Sequence, residues 1–119
     1  MSKKILVVDD DPNSRELIRL ALSKYDCEVV EASDGMEGLN AAVREKPNLV
    51  ITDHLMPNFS GYEMLQKVRD KQELKQTRFI MVTAKHFDNE FPELLKLGGC
   101  DFISKPFHIV SLIGMIEKL

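Results

Sequence analysis

Apolar residues along this chain come in two rhythms. Unbroken runs (Ile5-Leu6-Val7-Val8, Leu49-Val50-Ile51, Phe79-Ile80-Met81-Val82) alternate with longer stretches where apolar residues return every three or four positions. The runs predict strands buried on both faces, and the longer stretches predict amphipathic helices. Strands are expected at Lys4–Val8, Glu28–Ala32, Leu49–Thr52, Phe79–Val82 and Asp101–Ser104. Asp11 before Pro12 reads as an N-cap followed by proline at the first helical position. The helix that follows is expected to reach about Tyr25, with Leu17, Ile18, Leu20, Ala21 and Leu22 facing inward. A second helix opens at Ser33-Asp34-Gly35, carries Met36, Leu39, Ala42 and Val43, and stops before Pro47. A third, after Gly61, carries Tyr62, Met64, Leu65 and Val68. A short fourth is expected around Pro92 to Leu97, ended by Gly98-Gly99, and a closing helix runs from Ile109 to Leu119.

Strands alternating with helices, the strands buried on both sides, predict an α/β fold with a parallel doubly wound sheet. At this size the commonest arrangement is flavodoxin-like, five strands in the order 2-1-3-4-5 with five helices. In that order the first and third strands are neighbours. Their carboxyl ends bring Asp9, Asp10 and Asp53 to one crevice, at the switch point where ligands of such sheets bind.

Composition narrows the partners. With 119 residues the chain fits one domain over residues 1–119, and 44% hydrophobic with 29% charged residues is ordinary for a globular protein. A net charge of −3 without a basic stripe gives no reason to expect direct nucleic-acid binding. Cys27 and Cys100 lack metal-ligand spacing and read as reduced thiols. No segment resembles a signal peptide or a membrane span, so a cytoplasmic setting without membrane contact is the expectation.

The chemistry lies at the strand ends. Converging aspartates either bind a divalent cation or repel one another strongly, and two or three carboxylates suit a hard cation such as Mg²⁺. Thr83 and Ala84 follow the fourth strand, and Lys105 follows the fifth. With a cation present Asp53 is placed to attack phosphorus. Lys105, the Thr83 hydroxyl and the Ala84 amide would hold phosphoryl oxygens. No general base is evident, and phosphoryl transfer hardly needs one when charge and position are supplied.

Four motifs, taken together, resemble the receiver domain of bacterial response regulators: Ile5-Leu6-Val7-Val8-Asp9-Asp10-Asp11-Pro12, Val50-Ile51-Thr52-Asp53-His54-Leu55-Met56-Pro57, Met81-Val82-Thr83-Ala84 and Ile103-Ser104-Lys105-Pro106-Phe107. The resemblance covers essentially the whole chain and implies two-component or phosphorelay signalling, as in a chemotaxis regulator. By resemblance Asp53 is the phospho-acceptor. Asp10 is the direct Mg²⁺ ligand, Asp9 its water-mediated neighbour, and the Leu55 carbonyl a further ligand. Thr83 is the switch hydroxyl, Lys105 the phosphate-pairing cation, and Pro106 the proline after a cis bond that aims it. Phe102 is the switch aromatic. The implied partners are a sensor histidine kinase or phosphotransfer protein, and a downstream protein or attached output domain. Such a domain catalyses only its own phosphorylation and dephosphorylation.

Other residues carry plainer expectations. His54 is expected to point outward over the loop, His86 and His108 to be solvated, and Met56, Met64 and Met81 to fill core. Ser60 stands where the family commonly has an acid before the glycine matching Gly61, and helix capping is expected to be retained. Pro92 falls where the family's fourth helix is usually under way, which predicts a late start after an extended loop from Lys85 to Glu90. Leu55 and Lys85 flank the path of the hydrolytic water in this family. An apolar side chain at Leu55 gives that water no hydrogen-bond partner, so a long-lived phosphoryl group is expected. Two rival readings are a phosphohydrolase working through an aspartyl phosphate and a degenerate receiver serving as a constitutive interaction module. The end at Leu119 suits either a stand-alone domain or one excised from a longer regulator.

Overall fold

The computed structural model describes residues 3–54, 56, 60–83, 100–104 and 109–117. Strand β1 (Lys3–Val8) leads to helix α1 (Pro12–Leu22), β2 (Cys27–Ala32), α2 (Gly35–Glu45) and β3 (Leu49–Asp53). Then come α3 (Gly61–Arg69), a 3₁₀ turn at Gln72–Leu74, β4 (Arg78–Thr83), β5 (Cys100–Ser104) and the closing helix (Ile109–Glu117). All adjacent strands pair in parallel, in the order β2-β1-β3-β4-β5. This is the flavodoxin-like doubly wound sheet expected from the sequence.

The apolar runs form central strands because both faces of the sheet are covered. Successive side chains in a strand point to opposite faces, and the runs divide accordingly. Leu6, Val8, Val50, Phe79 and Met81 pack with Ala41 and Ala42 of α2 and Met64, Leu65 and Val68 of α3. Ile5, Val7, Leu49, Ile51, Ile80 and Val82 pack with Ile18 and Leu22 of α1 and Leu112 of the closing helix. Gly38 lets α2 approach both neighbours, since a Cβ there would lie 2.7 Å from Met64 Sδ and 3.0 Å from the Val8 methyls. Helix α2 ends on Lys46 in the left-handed conformation (φ 48°), just before Pro47.

Several details differ from the sequence reading. Helix α1 stops at Leu22 rather than near Tyr25, because the Ser23 hydroxyl and amide both turn back to the Leu20 carbonyl. Leu17 and Leu20 are 53% and 55% exposed and do not belong to the inward stripe. Only one face of the helix, that of Ile18 and Leu22 at i and i+4, can meet the sheet. Met36 and Val43 are likewise exposed, at 50% and 36%, while Ala42 is buried as expected and Ala41 joins it. The ladder gains a residue at Lys3, Cys27, Asp53, Arg78, Thr83 and Cys100, each beyond the expected strand bounds. The helix expected around Pro92 to Leu97 and the loop before it, with His86, lie outside the described residues, as does His108.

Candidate functional site

Register brings the acids together. Val8 of β1 pairs with Thr52 of β3, so the residues that follow, Asp9 and Asp53, lie side by side at the carboxyl ends of the two strands. One carboxylate oxygen from each of Asp9, Asp10 and Asp53 lies within 4.8 Å of the other two. Asp9 is 4% exposed, Asp10 is open to solvent and Asp53 is half-buried. At such separations a pair of carboxylates repels by about 3 kcal/mol at an effective dielectric of ~20, less where Asp10 meets water. Clustered hard oxygens, one buried and two accessible, fit a divalent cation that offsets this repulsion.

Asp9 is held from several directions. Its amide donates to the Ala32 carbonyl at 3.1 Å, and its carbonyl accepts from Arg15 Nη1 at 2.7 Å. Its Oδ1 accepts from the Asp11 amide at 2.9 Å. Asp11 is the N-cap of α1, as expected, with its side chain accepting from the Asn13 amide.

Asp53 is fixed through its backbone surroundings. The buried Thr52 hydroxyl donates to the Asp53 carbonyl at 2.9 Å and lies 3.7 Å from Met56 Sδ. The His54 amide donates to Val82 at 2.9 Å, and the His54 carbonyl accepts from the Gly61 amide at 2.7 Å. These bonds link the end of β3 to β4 and to the first residue of α3. Ser60 caps α3 in a complete capping box: its hydroxyl accepts from the Glu63 amide and its own amide donates to the Glu63 carboxylate.

His54 corrects an expectation. It is 4% exposed, not turned outward over the loop. Its amide still bonds β4, so the chain has not left the sheet at residue 54 and its side chain follows the strand's alternation into the interior. Met64 and Met81 are fully buried and Met56 packs at the same core, as expected.

The remaining candidates divide by position. Thr83 ends β4 one residue past the Asp53–Val82 pair and opposite Ser104, although its side chain is outside the description. Phe102 pairs with Met81 and rests half-buried against the cluster that contains Leu6 and Phe79. Leu55, Ala84, Lys85, Lys105 and Pro106 lie outside the described residues. Arg15 and Thr52 escaped the sequence reading. The available signal for Thr52 was a hydroxyl inside an otherwise apolar strand. For Arg15 it was a cation one turn into the helix that follows the acids.

Comparison with known proteins agrees with the fold. The response regulator receiver domain family matches residues 5–117. The alkaline phosphatase synthesis regulator PhoP of Bacillus subtilis is 39% identical over 109 residues, 90% of this chain and 44% of that protein. Hybrid signal transduction histidine kinase D of Dictyostelium discoideum is 36% identical over 115 residues, 97% of this chain and 7% of that protein. The chain thus spans less than half the length of either relative. The chemotaxis response regulator CheY4 of Vibrio cholerae superposes with a TM-score of 0.90 at 28% identity, covering 99% of this chain and 98% of that one. The response regulator domain of Thermotoga maritima CheB gives 0.85 at 30% identity, covering 99% and 96%.

The match over residues 5–117 and the superposed structures place the chain among receiver domains. This chain belongs to the response regulator receiver domain family of two-component systems.

Proposed function

We propose that this domain is the phospho-accepting switch of a two-component or phosphorelay pathway, with Asp53 as acceptor. The observation that carries the reading is the meeting of the Asp9, Asp10 and Asp53 carboxylates at the ends of two neighbouring strands. Those aspartates and the Leu55 carbonyl would hold Mg²⁺, which when bound supplies neutralising charge to nucleophile and phosphoryl oxygens. An Asp53 oxygen attacks the phosphorus of a phosphohistidine on a sensor kinase or phosphotransfer protein. The P–N bond breaks, its electron pair stays on the imidazole, and that ring takes up a proton. Lys105, aimed by Pro106, pairs with one phosphoryl oxygen, while the Thr83 hydroxyl and Ala84 amide hold another.

The added negative charge draws Thr83 and Lys105 inward and biases a face that includes Phe102 and the closing helix. That face is read by a downstream protein or an attached output domain. The domain turns over no external substrate, and its setting is cytoplasmic, where kinases charged from ATP work. Among the described residues no helix is long and apolar enough to cross a membrane.

The test is Mg²⁺-dependent labelling by acetyl phosphate of the wild type against Asp53→Asn. Labelling of the wild type alone supports the reading. No labelling of either favours a constitutive interaction module, and sustained phosphate release from a small phosphoester favours a phosphohydrolase.

A further inference from the structure

Arg15 lies one helical turn into α1, with its side chain largely buried (18% exposed) between two strand-end groups. Its Nη1 donates to the Asp9 carbonyl at 2.7 Å, and its Nε donates to the Glu31 carboxylate at 3.1 Å. Glu31 is the penultimate residue of β2, and the next residue, Ala32, accepts the Asp9 amide at 3.1 Å. The end of β2 therefore grips Asp9 on both sides of its Cα, directly through Ala32 and indirectly through Glu31 and Arg15. Asp9 is also the buried member of the acidic cluster. With amide, carbonyl and Oδ1 all engaged, its carboxylate has little freedom left.

We infer that Arg15 is a positioning residue for the cation site, setting the direction of the Asp9 carboxylate through the Asp9 backbone. The inference rests on the reading of that cluster as a Mg²⁺ site. Groups that hold metal ligands from behind typically contribute 10–100-fold to metal affinity. A planar fork with fixed donor directions suits the task, because one N–H of it meets a carbonyl and another a carboxylate. Electrostatics alone argues the opposite sign: a guanidinium bonded to the backbone of a cluster member repels a cation, so removing it would tighten binding. The two effects are therefore separable by direction.

The experiment measures Mn²⁺ affinity by water-proton relaxation, with Mg²⁺ as competitor, and urea unfolding in parallel. The variants are Arg15→Gln and Arg15→Lys. Positioning predicts that Arg15→Gln raises Kd about tenfold. Arg15→Lys, which keeps the charge and loses the fork, should raise Kd in the same direction while remaining folded. A lower urea midpoint with unchanged Kd in both variants would mean a purely structural role and overturn the inference. Tighter binding by Arg15→Gln with Arg15→Lys like wild type would mean a through-space charge effect and overturn it as well. Absence of Mn²⁺ binding by the wild type would instead sink the cation-site reading itself, and this inference with it.

Discussion

Gly61 and Asp53 meet backbone to backbone: a Cβ on Gly61 would sit 2.7 Å from the Asp53 carbonyl oxygen and 2.5 Å from Met81 Sδ. The methionine could swing away, but the carbonyl belongs to the backbone of β3 and cannot move alone. Gly61→Ala is expected to destabilise the fold by about 1–3 kcal/mol, the usual range for overpacking a close contact. It should also slow labelling of Asp53, because the strand end shifts. Urea unfolding and acetyl phosphate labelling of the same variant check both effects.

The Thr52 hydroxyl is fully buried and donates to the Asp53 carbonyl. Thr52→Val keeps the shape and removes the donor. A loss of about 1–2 kcal/mol is expected for a buried carbonyl that loses a hydrogen bond. The labelling rate should fall while valine keeps the fold, and thermal unfolding beside a labelling time course would show it.

Ser60 closes both ends of the capping box with Glu63. Ser60→Ala is expected to cost about 1 kcal/mol, whereas Ser60→Asp, still able to accept from the Glu63 amide, should stay close to wild type. Denaturant midpoints of the pair decide it.

Cys100 gives a pH dependence with a definite sign. Burial, with a smaller push from Asp101, raises its thiol from an ordinary 9.0 to about 12. Between those values the unfolded chain has released this proton and the folded protein has not, so stability falls as pH rises. Cys100→Ala should flatten the alkaline limb of a stability profile. Burial raises Cys27 as well, so both thiols of the folded protein should react slowly with Ellman's reagent near pH 8, where the thiolate is scarce.

Leu55 tests the lifetime of the phosphoryl group. If an apolar side chain there leaves the hydrolytic water unsupported, Leu55→Asn will lose radiolabelled phosphate several-fold faster than wild type. Equal decay would remove Leu55 from the account.

The sheet was legible in the sequence because its central strands are buried on both faces, which leaves uninterrupted apolar runs such as Ile5 to Val8. The acids were legible for a related reason: a carboxylate that closes such a run must emerge at the sheet's edge. Helix faces were harder to read. Leu17 and Leu20 sit in an apolar stretch with Ile18 and Leu22, and only the direction of approach to the sheet separates exposed from buried. His54 misled for a local reason, since the apolar run stops before the hydrogen-bond ladder does. Arg15 was illegible because its partners, a carbonyl at residue 9 and a carboxylate at residue 31, come together only in the folded chain.

The pairing of Val8 with Thr52 makes the acidic cluster a matter of counting. Deleting one residue from β1 or β3 would exchange the two cores along that strand and carry its aspartate away from the other. Insertions and deletions are therefore tolerable only outside these strands, in the connecting segments. The strand lengths that give the protein its fold thus also set the spacing of its acids, and lengthening or shortening either strand changes both at once.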